Sequence, residues 1–129
     1  MMQSVLVDTS VWIDYFGGGA KSAALEALID DNLVVTNDLI LAELLPYLKI
    51  RRQLTVISLL ETVRRLPLLI DWQDIIAMQV RCLRSGANGV GIPDLVIAQN
   101  ALSGAGAVYS LDKHFQLIKR VCPRLALFA

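Results

Sequence analysis

Few side chains of this chain can act as soft metal ligands. The sequence of 129 residues contains two cysteines, Cys82 and Cys122, and a single histidine. Two thiols so far apart provide neither a disulfide framework nor the close spacing of a structural zinc site. We therefore expect two ordinary thiols in a reducing cytoplasm and no zinc centre.

The chain also lacks an excess of charge of either sign. Twelve basic and twelve acidic residues cancel, and the formal net charge is zero. No overall field therefore attracts this protein to nucleic acid, and any such contact must come from local basic patches.

Long hydrophobic runs are missing as well. No apolar stretch approaches the roughly 18–20 residues that a membrane span requires. The first four residues, Met1 to Ser4, show no basic segment followed by a long apolar one, as a secretory signal would. We expect a cytoplasmic protein without membrane association.

Apolar residues, in contrast, are abundant. They make up 55% of the chain, which is on the rich side of the roughly 45–50% typical of globular domains. The length suits a single domain over residues 1–129. The apolar surplus favours a protein that buries part of its surface in a homodimer or another complex.

Strand-like and helix-like segments alternate along the chain. Continuous apolar runs such as Val5–Val7 are typical of strands buried on both faces of a parallel sheet. Pro46 lies inside one helical pattern and should kink or shorten that helix. The alternation predicts a three-layer α/β/α sandwich with a mostly parallel central sheet. Strands are predicted at 5–7, 33–36, 66–70, 107–111 and 125–128, and helices at 11–16, 21–31, from 37, at 53–65 and 72–84, from 93, and at 112–120.

Three aspartates occupy positions where such a sheet places ligands. Asp8 follows the first strand directly, Asp112 follows the strand at 107–111, and Asp94 lies in the first turn of the helix after a glycine-rich loop. Ligands of open parallel sheets bind outside the carboxyl ends of the strands. Each aspartate taken singly could instead be a helix cap or a first-turn anion.

Glu43 is unusual because its helical neighbours are uncharged and mostly apolar, so no local cation can pair with it. It is either a partly exposed residue at the edge of an apolar stripe or a carboxylate facing a wet cleft. If all four acids converge, their repulsion requires a cation. Ligand sets made only of oxygen favour hard cations, here Mg²⁺ or Mn²⁺.

Four segments together resemble a known family. They are Val-Asp-Thr-Ser-Val-Trp-Ile-Asp-Tyr-Phe at 7–16, Leu-Ala-Glu-Leu at 41–44, Pro-Asp-Leu-Val-Ile-Ala at 93–98 and Ser-Leu-Asp-Lys-His-Phe at 110–115. In this order and spacing they resemble the four motifs of PIN-domain proteins of the VapC toxin group. No single segment is specific, but the ordered set spans nearly the whole chain.

The resemblance implies a metal-dependent endoribonuclease. It implies that Ser10 lends a hydroxyl to metal, water or phosphate, and Ser110 stands where related chains have threonine or serine. His114 stands where some relatives carry a further acid. The implied catalytic and metal-binding residues are Asp8, Glu43, Asp94 and Asp112.

Partners follow from the same resemblance. It implies an RNA substrate and a small VapB-like antitoxin, which would wrap the apolar helices around residues 41–60 and direct a basic side chain to the acids. A homodimer through these helices is also expected. Basic residues near helix ends are favoured by the helix dipole in any case, but some could contact an RNA backbone: Lys49, Arg51, Arg52, Lys113 and His114.

Single positions of the sequence argue against two other classes of α/β protein. A phosphatase of the haloacid dehalogenase type needs a second aspartate two residues after the first, where this chain has Ser10. A receiver domain needs an acidic pair after the first strand and a phosphoacceptor after the third. A PIN-like module that binds RNA or protein without cutting, and a housekeeping nuclease without an antitoxin, remain as alternatives.

Overall fold

The computed structural model describes residues 3–128. Met1, Met2 and Ala129 lie outside the described residues, so the expectation about the first four residues falls partly outside them. Its centre is a parallel sheet of four strands in the order β3-β2-β1-β4. The strands are β1 (Val5–Val7), β2 (Val34–Thr36), β3 (Arg64–Arg65) and β4 (Ala107–Tyr109).

Helices cover both faces of this sheet. Side chains alternate across a strand, so Leu6 and Val108 enter one apolar core while Val5 and Val7 enter the other. The predicted three-layer α/β/α sandwich with a parallel sheet is confirmed. The helices are α1 (Thr9–Phe16), α2 (Leu25–Asp30), α3 (Asp38–Ile50), α4 (Leu54–Thr62), α5 (Trp72–Arg84), α6 (Ile92–Gly104) and α7 (His114–Val121).

The order of the strands creates a switch point. From β1 the chain continues to β2 on one side, whereas β4 pairs with the other side of β1. Connections therefore leave β1 and β4 in opposite directions, and a crevice opens at the carboxyl ends of these two strands. Asp8 follows β1 at this crevice.

The bounds of several predicted elements differ from the structure. The helix expected at 53–65 ends at Thr62, and Arg64 and Arg65 at its predicted end form a strand instead. The strand expected at 66–70 is wrong, because the pairing residues are Arg64 and Arg65 at the sheet edge. The helix expected at 21–31 covers only Leu25–Asp30. The strand expected at 125–128 is reduced to one parallel bridge between Val108 and Leu127.

Pro46 does not shorten its helix. α3 continues from Asp38 to Ile50 with Pro46 in its interior. Proline removes one backbone hydrogen-bond donor from the helix. The apolar face of α3, however, buries Leu41, Leu44 and Leu48 in the core. Packing of this face compensates for the missing bond.

No helix in residues 3–128 is long and apolar enough to cross a membrane.

Candidate metal centre

Asp8 is a buried carboxylate at the switch point. Its side chain is only 7% exposed. Its Oδ2 accepts hydrogen bonds from the hydroxyls of Ser10 and Ser110, each 2.8 Å long. Asp8 is also the N-cap residue of α1, yet its side chain makes no capping bond. The Asp8 carboxylate therefore does not act as a helix cap.

The two serines join the end of β1 to the loop after β4. The Ser10 hydroxyl accepts a hydrogen bond from the Leu111 amide at 3.0 Å, and the Ser110 hydroxyl accepts one from the Asp112 amide at 2.9 Å. Both hydroxyl protons are directed to Asp8. In this arrangement the Ser10 hydroxyl positions the carboxylate. The contact of Ser10 with metal, water or phosphate that the resemblance implies stays a prediction.

Asp94 lies in the first turn of α6. Its Oδ2 accepts a hydrogen bond from the Gly91 amide at 3.3 Å, so the capping role considered from the sequence is present. The same oxygen lies 3.1 Å from Nδ1 of His114. Burial raises the pKa of Asp94; the charges of Asp112 and Asp8 raise it further, while the Gly91 amide and His114 lower it.

Asp112 and His114 complete a close group with Asp94. Asp112 Oδ1 accepts a hydrogen bond from the His114 amide at 2.9 Å and lies 3.2 Å from His114 Nδ1. Ligand atoms of Asp94, Asp112 and His114 all lie within 4.8 Å of one another, as they would around a shared metal ion.

Glu43 contributes from α3 at the rim of this group. The residue as a whole is exposed, but burial of its carboxyl raises its pKa. The charges of Asp8 and Asp94 raise the pKa of Glu43 further, and the Thr9 hydroxyl lowers it. Glu43 thus lies near enough to Asp8 and Asp94 to interact with their charges, but it is not part of the close group.

The charge of the acids is poorly compensated by protein. In the part of the chain that the structure describes, no lysine or arginine forms an ion pair with any of the four acids, and His114 is the only basic partner of Asp94 and Asp112. Carboxylates that repel one another in a partly buried crevice are stabilised by a divalent cation. The donor set thus fits a metal ion.

The basic residues expected at an RNA backbone lie in two places. Lys49, Arg51 and Arg52 are exposed around the carboxyl end of α3, and Arg51 stacks over the Tyr47 ring at 3.7 Å. Lys113 is exposed beside the acidic group. The Nδ1 atom of His114 lies beside the carboxylates of Asp94 and Asp112. The contact of His114 with an RNA backbone stays a prediction.

Sequence reasoning missed the residues that position α3 against α6. Asn37 caps α3 by accepting a hydrogen bond from the Ile40 amide at 2.8 Å, and it donates one to Asn100 Oδ1 at 2.9 Å. Asn100 in turn donates to the Pro67 carbonyl at 2.9 Å. Both amides are buried. Asn100 is a polar residue within the mostly apolar pattern of α6, and this position could have indicated a buried hydrogen bond.

The comparison with protein families agrees with this geometry. The model of the PIN domain family matches residues 5–121, which include the four acids, both serines and His114. No curated protein is detectably similar to the chain in sequence. PIN domains are generally metal-dependent nucleases, and the group of Asp94, Asp112 and His114 could bind a metal ion. The chain belongs to the PIN domain family.

Proposed function

We propose that this protein is an endoribonuclease that hydrolyses RNA phosphodiester bonds with Mg²⁺ or Mn²⁺. The observation that supports the proposal is the close group of Asp94, Asp112 and His114, whose ligand atoms lie within 4.8 Å of one another. Besides burial, the charge of Asp8 raises the pKa of both Asp94 and Glu43. The proposed catalytic and metal-binding residues are Asp8, Glu43, Asp94 and Asp112.

The roles of the acids follow from their surroundings. Two serine hydroxyls orient the carboxylate of Asp8, and a backbone amide orients that of Asp94. Both carboxylates could therefore position a metal ion. A bound divalent cation would polarise the phosphate and lower the pKa of an attacking water. Glu43 lies at the exposed rim, and its raised pKa suits the acceptance of a proton from that water.

The products follow from the nucleophile. Attack by water, without participation of the ribose 2′-hydroxyl, leaves a 5′-phosphate and a 3′-hydroxyl. The exposed Lys113 beside the acids, and the basic residues at the carboxyl end of α3, would hold the RNA backbone.

The direct test is cleavage of structured RNA by the purified protein. We expect cleavage with Mg²⁺ or Mn²⁺, arrest by a chelator, and loss of activity in Asp8→Asn and Asp94→Asn. Glu61→Gln is the matched control, because Glu61 is an exposed acid at the end of α4 and belongs to no metal-binding group. Cleavage that persists unchanged in both aspartate variants would disprove the proposal.

We further propose that the nuclease is the toxin of a two-component pair. The resemblance of the 7–16 segment to VapC toxins supports this. So does a groove of about 530 Å³ beside α3, since its lining of apolar and charged residues suits an amphipathic partner. The groove is lined by Asp38, Leu41, Ala42, Leu45, Pro46, Lys49 and Arg65.

Expression in a bacterial host tests this role. The wild-type chain should arrest growth, the Asp94→Asn chain should not, and coexpression of a small protein encoded next to the gene should restore growth. Growth that is unaffected by an active nuclease would favour the housekeeping alternative.

A homodimer is proposed as the resting state. Two exposed apolar side chains, Ile50 and Leu54, are 80% and 71% accessible where α3 meets α4. They lie within the helices from which dimerisation was predicted. Light scattering should give twice the chain mass for the wild type and the chain mass for Ile50→Glu/Leu54→Glu; a monomeric wild type would contradict the dimer.

A further inference from the structure

His114 presents a ring nitrogen to the two aspartates of the close group. Its Nδ1 lies 3.1 Å from Asp94 Oδ2 and 3.2 Å from Asp112 Oδ1. We propose that His114 is a direct ligand of the divalent cation and that it gives the site a preference for Mn²⁺ over Mg²⁺, an inference that rests on the proposed metal-dependent function.

The backbone fixes the direction of the ring. His114 begins α7, and its own amide is bonded to Asp112 Oδ1. The ring and the neighbouring carboxylate are therefore positioned by the same turn. Rotation of His114 away from the acids would separate the ring from both aspartates, whereas a cation at the convergence of these atoms would hold all of them.

Gly89 has no side chain, and the ring of His114 lies close to its backbone. A Cβ atom built at Gly89 would lie 3.2 Å from His114 Nε2 and 3.7 Å from its Cδ2. The ring is thus placed with its Nε2 edge against the glycine-rich loop and its Nδ1 edge toward Asp94 and Asp112. The backbone of Gly89 does not have the left-handed φ of Gly86. Alanine can therefore adopt the backbone conformation at Gly89 and would act through its contact with the ring.

The ligand chemistry determines which metal is favoured. A set made only of carboxylates suits Mg²⁺, which binds oxygen and keeps several of its waters. Imidazole is a ligand of first-row transition metals. Because Mg²⁺ is bound through oxygen and gives up its waters reluctantly, we expect one imidazole beside two carboxylates to shift the relative affinity from Mg²⁺ toward Mn²⁺, which is itself a first-row transition metal. With Asp94, Asp112 and His114 within 4.8 Å of one another, this mixed set is present.

Pulsed electron paramagnetic resonance of Mn²⁺ bound to the RNA-free protein tests the ligand directly. We expect a ¹⁴N coupling from a directly bound nitrogen in the wild type, and its replacement by a ¹⁵N coupling when only histidine is labelled. The chain contains one histidine, so the assignment is unambiguous. A wild-type spectrum without bound nitrogen would overturn the proposal.

Titration calorimetry tests the preference. We expect His114→Ala to weaken Mn²⁺ binding by at least about tenfold, the lower end of the loss seen when partners of metal ligands are removed. His114→Asp should bind Mg²⁺ better relative to Mn²⁺ than the wild type does, and Gly89→Ala should weaken Mn²⁺ binding by displacing the ring. Glu61→Gln should behave as the wild type. An unchanged ratio of Mg²⁺ to Mn²⁺ affinity in His114→Asp would contradict the inference.

These readouts separate the inference from the function. Metal binding with a nitrogen ligand but without RNA cleavage would leave the His114 assignment intact and refute the nuclease. Metal-dependent cleavage without a nitrogen ligand would do the reverse.

Discussion

At the scale of single residues, Asp8 joins the end of β1 to the loop after β4, because its carboxylate accepts hydrogen bonds from Ser10 and Ser110. The position of Asp8 after a buried strand pointed to the crevice. That both serine hydroxyls would donate to it was beyond the sequence pattern, because Ser10 and Ser110 meet only when β1 pairs with β4. The turn of His114 toward the acids was hidden for a similar reason, since it depends on the path of the loop carrying Gly89.

Ser110→Ala should reduce both stability and cleavage. The variant loses a 2.8 Å bond to the buried Asp8 and leaves the Asp112 amide without its acceptor. A hydrogen bond to a charged group contributes about 1.5–3 kcal/mol, so chemical denaturation should show a loss of that order. Ser110→Thr, which keeps the hydroxyl, should retain most of the stability; equal losses in both variants would contradict the role of the hydroxyl.

Asp94→Asn should stabilise the metal-free protein at neutral pH. The pKa of Asp94 is raised in the folded state, chiefly by burial. The folded state then binds more protons than the unfolded state between the ordinary and the raised pKa, and stability falls as pH rises through that interval. The variant should therefore melt at a higher temperature in chelator at pH 7, with an advantage that shrinks as pH falls toward 4, the ordinary range for aspartate.

Metal should reverse this order. A ligand that binds only the folded state raises its stability, so saturating Mn²⁺ should stabilise the wild type more than Asp94→Asn. Calorimetric scans with and without Mn²⁺ measure both effects. If the variant is less stable than the wild type in chelator at pH 7, the charged form of Asp94 does not destabilise the folded state.

At the scale of elements, long periodic segments were predictable and short ones were not. α5 was predicted with its observed bounds, Trp72–Arg84, because its apolar positions repeat over several turns. β3 was misplaced because Arg64 and Arg65 are exposed and charged. The apolar residues after them lie outside regular structure, where Leu66 is buried in the core and Leu69 is exposed. Such an edge strand has no apolar pattern to detect.

The link between α3 and α6 sets how Glu43 faces Asp94. Asn100→Ala leaves the buried Asn37 side chain and the Pro67 carbonyl without their partner. A buried polar group left unsatisfied costs about 1–3 kcal/mol. We expect a destabilisation of that order by chemical denaturation and slower RNA cleavage. Ser103→Ala, at an exposed position of the same helix, is the control; equal effects of both changes would contradict a specific role for the amide pair.

At the scale of the whole molecule, the net charge is zero and the apolar fraction is high. Charged and apolar binding surfaces must therefore be local. The acids lie at the crevice, exposed basic residues lie at the end of α3, and an apolar groove runs beside that helix. Composition predicted that any nucleic-acid contact must be local but could not locate it. That residues 1–129 form one domain, and that the protein acts in the cytoplasm, stay predictions.

In the proposed metal site, residues that follow β1, lie in α3 and α6, and follow β4 surround a bound divalent cation. Crystals soaked in Mn²⁺ and measured at a wavelength where manganese scatters anomalously test it most directly. We expect an anomalous peak bounded by Asp94, Asp112 and His114, with Asp8 and Glu43 facing it. Saturating Mn²⁺ that gives no peak there, or a peak only elsewhere on the molecule, would contradict the account.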